Sequence, residues 1–139
     1  MLSRTLRSLE DGAYTFLRVV AGLMFAFHGL QKLFGVLSNF RPPAGSQLWF
    51  GSVIELVGGL AIAAGAFTPW AAFIASGEMA VAYIQFHWKL AGGSRFIPAV
   101  NQGELALLYS AVFLFVACRG PGRWSLDSAF RRAPAGTGV

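Results

Sequence analysis

Four long apolar segments alternate with short polar stretches along this chain of 139 residues. Each segment is about 18 to 24 residues long, which at roughly 1.5 Å per residue is enough to cross a hydrocarbon core about 30 Å thick. The pattern predicts an all-α membrane protein with four transmembrane helices in a compact bundle. The predicted spans lie at about 13–36, 49–67, 69–90 and 102–119.

Ionisable side chains interrupt every one of these segments. Glu55, Glu78 and Glu104 lie one each in the last three, and the first carries Arg18 and His28. Such a side chain in hydrocarbon costs on the order of several kcal/mol unless it faces a protein interior. We therefore expect the helices to turn these groups toward one another. Arg18 lies near one membrane surface, where its long side chain could instead reach water.

The composition agrees with a membrane protein, because 55% of the residues are hydrophobic and only 12% are charged. Four apolar helices in so short a chain leave too little polar surface for a water-soluble globule. Residues 13–119 are predicted to form the single transmembrane domain. Residues 1–12 are predicted to be either a short helix at the membrane interface or a frayed end.

The distribution of basic residues predicts the orientation, because cytoplasmic flanks accumulate Lys and Arg. The side of both termini carries more of them than the opposite side, so both termini are predicted to be cytoplasmic, with 120–139 as a basic cytoplasmic tail. The residues counted are Arg4, Arg7, Arg119, Arg123, Arg131 and Arg132, against Lys32, Arg41, Lys89 and Arg95.

The net charge of +5 comes from residues that flank the spans. Because they form no soluble basic face, we expect membrane lipids with anionic headgroups as partners, and no nucleic acid. The chain has one cysteine, Cys118, and therefore no dithiol that could undergo disulfide exchange. Thiol chemistry would need a partner protein.

The polar residues near one end of the spans are candidates for a site open to the non-cytoplasmic side. His28, Gln31 and Lys32 share a helical face, and Glu78 and Gln85 share another. A carboxylate on a neighbouring helix could pair with Lys32 or His28 and offset part of the desolvation cost. The alternative is that such pairs only fix the register of the helices.

A short internal similarity links the two halves of the chain. Phe27-His28 with Lys32 ends the first segment, and Phe86-His87 with Lys89 ends the third, while Glu-Leu pairs follow at Glu55 and Glu104. Two parallel helical hairpins would place these clusters on the same side of the membrane.

Five stretches of the sequence resemble the DoxX family and together cover about residues 15–128. They are GLMFAFHGLQKLFG at 22–35, ELVGG at 55–59, Glu78-Met79 with Ala82-Tyr83, NQGELALLY at 101–109 and GPGRWSLD at 120–127. The family's usual Asn-Gly-Gly-Glu is Asn101-Gln102-Gly103-Glu104 here, so this turn need not be the same.

The resemblance implies a four-helix protein of the bacterial inner membrane. Members of the family have been connected with electron transfer from thiosulfate to quinone, with membrane oxidoreductase assemblies that handle thiol stress, and with quinone resistance. The resemblance thus implies a quinone-linked redox role. The family's polar residues match at His28, Gln31, Lys32, Glu55, Glu78 and Glu104.

Our leading hypothesis is a subunit of a quinone-linked redox system that binds a quinone-like or other small polar molecule and needs a redox partner protein. The expected catalytic residues are His28, Lys32, Glu55, Glu78 and Glu104. The expected ligand-binding residues are His28, Gln31, Lys32, Gln85, His87 and Asn101. His28 would donate a hydrogen bond to a carbonyl, Lys32 would stabilise negative charge, and the carboxylates would relay protons.

Other interpretations remain open at this point. A bound metal or haem is one of them, although the Glu-x-x-His pairs of di-iron bundles are absent and we predict no metal ligands. A non-catalytic role in assembly, lipid binding or transport is another, and transport by so few helices would require a homo-oligomer. We expect no covalently bound cofactor, and whether the protein is an enzyme is left open.

Overall fold

The computed structural model describes residues 2–132, and all of the regular secondary structure in that range is helical. The α-helices are α1 (Leu2–Ser8), α2 (Glu10–Phe34), α3 (Gln47–Val53), α4 (Gly59–Ala64), α5 (Thr68–Ala82), α6 (Pro98–Asn101), α7 (Glu104–Arg119) and α8 (Leu126–Arg132). A π-helical turn at Ile54–Gly58 joins α3 to α4, a second at Tyr83–Trp88 continues α5, and Gly93–Phe96 is a 3₁₀ turn.

These elements form four long helices at the positions of the four apolar segments. The first is α2, the second is the continuous stretch Gln47–Ala64, the third covers 68–88, and the fourth is α7. Every observed end lies within three residues of the predicted one. The first two are long and apolar enough to cross a membrane.

Local sequence signals set the ends of the helices. Glu10 and Asp11 lie in the first turn of α2, where carboxylates are stabilised by the helix dipole. Gly35 ends α2 in the left-handed conformation, with φ 70°, and donates its N–H to the Gln31 carbonyl. Ser46 caps the second helix by accepting a hydrogen bond from the Trp49 N–H at 3.2 Å.

The four helices pack as two antiparallel pairs, the first with the second and the third with the fourth. Glycines allow close approach in the first pair: a Cβ added at Gly22 would lie 2.7 Å from the Gly59 carbonyl, and one at Gly29 would collide with the backbone of Leu56. The second pair is joined by Ser76, which donates to the Ser110 carbonyl at 2.8 Å. This pairing agrees with the expected hairpins.

Aromatic side chains connect the two pairs by bridging α2 and α7. Tyr14 contacts Phe115 with ring centroids 5.9 Å apart, and Phe25 contacts Phe113 at 4.8 Å. Tyr14 also donates its hydroxyl hydrogen to the Gly120 carbonyl.

The segment predicted as a basic tail folds back onto the bundle as far as residue 132, while 133–139 lie outside the described residues. Arg18 is only 1% exposed and donates to the carbonyls of Pro121 and Trp124. Thus Arg18 does not reach water; its two terminal guanidinium nitrogens donate instead to backbone carbonyls of the folded-back segment. Asp127 accepts hydrogen bonds from the N–H groups of Phe67 (2.8 Å) and Thr68 (2.9 Å).

The start of α2 lies inside the stretch 1–12, which the sequence predicts as an interfacial helix or a frayed end. Residues Leu2–Ser8 form α1, and residues 10–12 belong to the first turn of α2. Glu10 and Asp11 in that turn pair with Arg119 at 2.7 and 3.3 Å, which fixes the start of α2 against the end of α7. Leu6 and Leu9 are exposed, as an interfacial helix would require.

Candidate functional site

A cavity of about 320 Å³, here called the polar cavity, lies among the four long helices. Its apolar walls include Phe25, Met79 and Phe86. Its polar lining comes from all four helices and from the turn before α7: His28, Lys32, Glu55, Glu78, His87, Gln102 and Tyr109. Five residues that the sequence predicted for a site are thereby brought together.

An ion pair between the first two helices forms one wall of the polar cavity. Lys32 Nζ lies 2.5 Å from Glu55 Oε1, with the Glu55 side chain 2% exposed and that of Lys32 31% exposed. The pairing offsets the desolvation of both charges, as expected from the sequence. Glu55 lies on the π-helical turn Ile54–Gly58, and such turns in α-helices are frequent at functional sites.

Glu78 brings a second carboxyl group to the polar cavity from the third helix. A Cβ added at Gly51 would lie 3.1 Å from Glu78 Oε1, so this carboxyl group rests against the backbone of the second helix. A glycine at position 51 leaves the space that the carboxyl group occupies. Glu55 and Glu78 thus line the same cavity. Lys32, which pairs with Glu55, is the one lysine among the described residues of its lining.

Three oxygen atoms at the polar cavity are buried without a hydrogen-bond partner within the described part of the chain. They are Glu55 Oε2, Glu78 Oε2 and the hydroxyl of Tyr109. Nearly all buried polar atoms in proteins have a partner, so three such atoms around one cavity indicate a place for a polar ligand or water. A fourth buried atom of this kind, Arg18 Nε, lies at the other end of α2.

Tyr109 is one of two polar residues of the cavity lining that were not predicted as site residues from the sequence. Its ring stacks on Phe113 with centroids 5.4 Å apart and meets the edge of the His28 ring at 6.3 Å. The sequence does contain a signal for it, because the hydroxyl of a tyrosine inside an apolar helix needs a hydrogen-bond partner. Gln102 was missed too; its φ of 59° lies in the left-handed region that glycine favours, at the position where the family's motif has glycine.

Four predicted site residues do not line the polar cavity. Gln85 is exposed and accepts a hydrogen bond from Gln47 at 2.6 Å. Asn101 organises the turn before α7: its amide donates to the Arg95 carbonyl at 2.9 Å and its side-chain oxygen accepts from the Gly103 N–H at 2.8 Å. Gln31 is half-buried on α2 and is not among the residues that line the cavity.

Glu104 is the fourth of these, and contrary to the expected inward orientation it is exposed. It lines a separate, shallow depression with Pro98 and Leu107. The carboxylate lies in the first turn of α7, where free backbone N–H groups and the helix dipole stabilise negative charge. It therefore needs no partner on another helix.

His87 lines the polar cavity, and its orientation is set by neighbours. Its Nδ1 atom is 3.3 Å from the Asn101 carbonyl oxygen, and its ring stacks on Tyr83 with centroids 6.5 Å apart. Within the described residues, no three His, Cys, Asp or Glu side chains are close enough to hold a metal ion.

Comparison with known proteins gives two matches. The family model DoxX matches residues 13–88, more than half of the chain. The chain belongs to the DoxX family. It is also 42% identical over 120 residues to a Haemophilus influenzae protein described as uncharacterized, a match that covers 83% of this chain and 88% of that protein. No solved structure matches the chain.

The resemblance predicted from the sequence is thereby confirmed. The DoxX match covers the first three long helices and so includes His28, Lys32, Glu55 and Glu78, whereas Tyr109 lies beyond it. DoxX proteins are typically membrane-bound, and the two helices that are long and apolar enough to cross a membrane agree with this.

Proposed function

We propose that this DoxX protein spans the bacterial inner membrane four times and binds the headgroup of a quinone-like molecule in the polar cavity, as part of a redox system. The third and fourth long helices support the two further spans. Their outer faces expose Phe73, Ile74, Leu114 and Phe115, which only lipid or another protein could cover. The fourth helix of 16 residues is about 24 Å long, enough when interfacial side chains extend its ends.

The basic and aromatic residues of the folded-back segment support a cytoplasmic position for both termini. Arg123 and Arg131 lie beside the exposed Trp124 and Phe130, a combination suited to anionic headgroups at a membrane surface. The polar cavity lies toward the opposite end of α2. It would therefore receive its ligand from the non-cytoplasmic half of the membrane.

The chemistry of the polar cavity suits a planar molecule with carbonyl groups at its edge. Phe25, Met79 and Phe86 offer apolar surface to a ring, while His28, Lys32 and the Tyr109 hydroxyl can donate hydrogen bonds to carbonyl oxygens. The ammonium group of Lys32 would also stabilise negative charge on such an oxygen during reduction. Polar groups of this kind, few and convergent in an apolar cavity, are typical of small-molecule sites.

The two carboxyl groups suit the protons of quinone chemistry. Reduction of a quinone to a quinol takes up two electrons and two protons, one on each oxygen. Glu78 and Glu55 line the cavity and could hand on protons, and Lys32 contacts the Glu55 carboxyl group when no ligand is bound. The electrons would come from a partner redox protein, since the chain's lone cysteine cannot form a dithiol couple.

One observation supports the proposal most strongly: three buried, unpartnered oxygens belong to residues that line a cavity whose lining also includes a lysine and two histidines. The test measures binding of duroquinone, a quinone with methyl substituents only, to the protein in lipid nanodiscs, with empty nanodiscs as the blank. Tyr109→Phe removes one donor from the cavity and should weaken binding about 3- to 10-fold, the worth of one hydrogen bond.

Tyr83→Phe is the matched control, because the Tyr83 hydroxyl donates to the Phe96 carbonyl outside the polar cavity. This change should leave the affinity for duroquinone unchanged. Absence of binding by the unaltered protein, or equal affinities for all three proteins, would sink the proposal and favour a non-catalytic role in assembly.

A further inference from the structure

A second, apolar depression of about 410 Å³ runs along the outside of the bundle between α2 and α7. We call it the tail groove. From the α2 side it is lined by Ala13, Leu17, Val20 and Met24, and from the α7 side by Leu108 and Val112. Between Met24 and Ala13 it extends about 16 Å along the helix axis.

Aromatic contacts between α2 and α7 lie near both ends of the tail groove. Tyr14 contacts Phe115 near one end, and Phe25 contacts Tyr109 with centroids 5.5 Å apart near the other. Ala13, beside Tyr14, and Ala21, between Tyr14 and Phe25, contribute small side chains to the lining. Two small residues on α2 thus keep a channel open that larger ones would close.

The tail groove adjoins the polar cavity. Leu105 and Tyr109 line both, so the two depressions lie on either side of these two side chains. The Tyr109 hydroxyl is the one polar side-chain group in the groove lining, and it is among the oxygens that lack a partner. Polar and apolar binding surfaces therefore meet at a single residue.

We infer that the tail groove holds the long apolar chain of the molecule whose headgroup occupies the polar cavity. This inference rests on the proposed function and narrows its ligand class to quinone-like amphiphiles with a long alkyl or isoprenoid chain. The polar headgroup would lie beside Lys32 and Glu78 in the polar cavity. The apolar chain would then continue along α2 in the adjoining tail groove.

The polar cavity also adjoins another opening, between the second and third long helices, which Phe50 and Phe73 line. That opening has Gln47, Lys32 and Glu78 in its lining, so an apolar chain leaving there would desolvate charged and amide groups. The tail groove presents no charged side chain. An apolar chain is therefore assigned to the tail groove.

The test compares duroquinone with a trimethylbenzoquinone that carries a decyl chain, both titrated against the protein in nanodiscs. Val20→Trp fills the groove, and Val57→Trp is its control, because Val57 is exposed on the second helix and does not line the groove. Relative to the control, Val20→Trp should weaken binding of the decyl compound about tenfold or more while leaving duroquinone binding within about twofold.

Partitioning of the decyl chain into lipid affects both variants equally and so cancels in this comparison. Retained duroquinone binding also shows that the Val20→Trp protein is folded. If Val20→Trp leaves the decyl compound unaffected, the inference is overturned while the proposed function stands. If the unaltered protein binds neither compound, the proposed function fails and the inference with it.

Discussion

Glu55 combines deep burial with a single charged partner. Its carboxylate is held by Lys32, which approaches from α2, and its second oxygen has no partner within the described residues. Breaking a buried pair leaves an uncompensated charge, which costs more than the pair itself contributes. Loss of either partner would therefore lower the stability of the bundle and change the net charge of the polar cavity.

Replacing Lys32 by Met should lower the free energy of unfolding by about 3 kcal/mol, because the Glu55 carboxylate loses its cation. The double variant Lys32→Met/Glu55→Leu should recover most of this loss. Thermal unfolding of the three proteins in one detergent measures both effects. A double variant no more stable than Lys32→Met alone would contradict the assigned pairing.

Asp127 is a second residue whose role can be tested, at the other end of the bundle. Its carboxylate accepts three hydrogen bonds, from the N–H groups of Phe67 and Thr68 and from the Thr68 hydroxyl. Asp127→Ala should therefore destabilise the protein by about 0.5 to 2 kcal/mol, as loss of a helix cap does. Ser128→Ala, one residue further along α8, should have a smaller effect.

The same carboxylate makes stability depend on pH. Burial tends to raise the pKa of Asp127, but the hydrogen bonds from Thr68 and Phe67 and the charge of Arg131 outweigh it and lower the pKa below its ordinary value of 3.8. A lowered pKa in the folded state stabilises the protein above about pH 3.8, and this contribution disappears as the pH falls through the folded-state pKa.

Thermal unfolding between neutral and acid pH should accordingly show a larger loss of stability for the natural protein than for Asp127→Asn. The difference between the two proteins should shrink as the pH falls below 3.8. A constant difference across that range would mean that the carboxylate is not charged in the folded protein.

Close contact of the first two helices depends on glycine. Gly29→Ala would drive a Cβ into the backbone of Ser52 and Leu56, next to the ion pair. We expect it to destabilise the protein by about 1 to 3 kcal/mol, since the two backbones must separate. Gly12→Ala is the control on the same helix, because a Cβ there meets nothing within 4 Å.

The control should be neutral or stabilising by up to about 1 kcal/mol, since alanine favours helix over glycine. Melting temperatures of both variants, measured in the same detergent, compare the effects of the two changes on stability. Equal effects of the two changes would show that α2 and the second helix do not pack as described.

The sequence predicted the helices well because apolar runs of this length have few alternatives. It could not predict which way each helix is rotated. Gln31 follows the helical spacing of His28 and Lys32, yet it does not line the polar cavity as they do. Glu104 has an apolar segment around it, yet its place in a first turn lets it remain exposed.

The π-helical turn at Ile54–Gly58 was also beyond sequence reasoning, because one extra residue in a turn leaves no compositional mark. The same holds for the folded-back segment. Its arginines resembled an ordinary basic tail, whereas the contacts of Arg18 and Asp127 that fix it join residues about 60 or more positions apart.

One end of the bundle is closed and the other is open. One end is closed by the folded-back segment, by ion pairs of Arg119 with Glu10 and Asp11, and by the buried Arg18. The other end contains the polar cavity and its openings. A closed end opposite an open polar end is the arrangement expected if, as proposed, a ligand enters from one half of the membrane.

If the polar cavity binds a quinone-like amphiphile, native mass spectrometry of gently extracted protein should detect that molecule bound to the chain. We expect one such molecule per chain in the natural protein and a lower occupancy in Tyr109→Phe and in Lys32→Met at equal detergent concentration. A natural protein that carries no bound small molecule, or one carrying only a second protein, would contradict it.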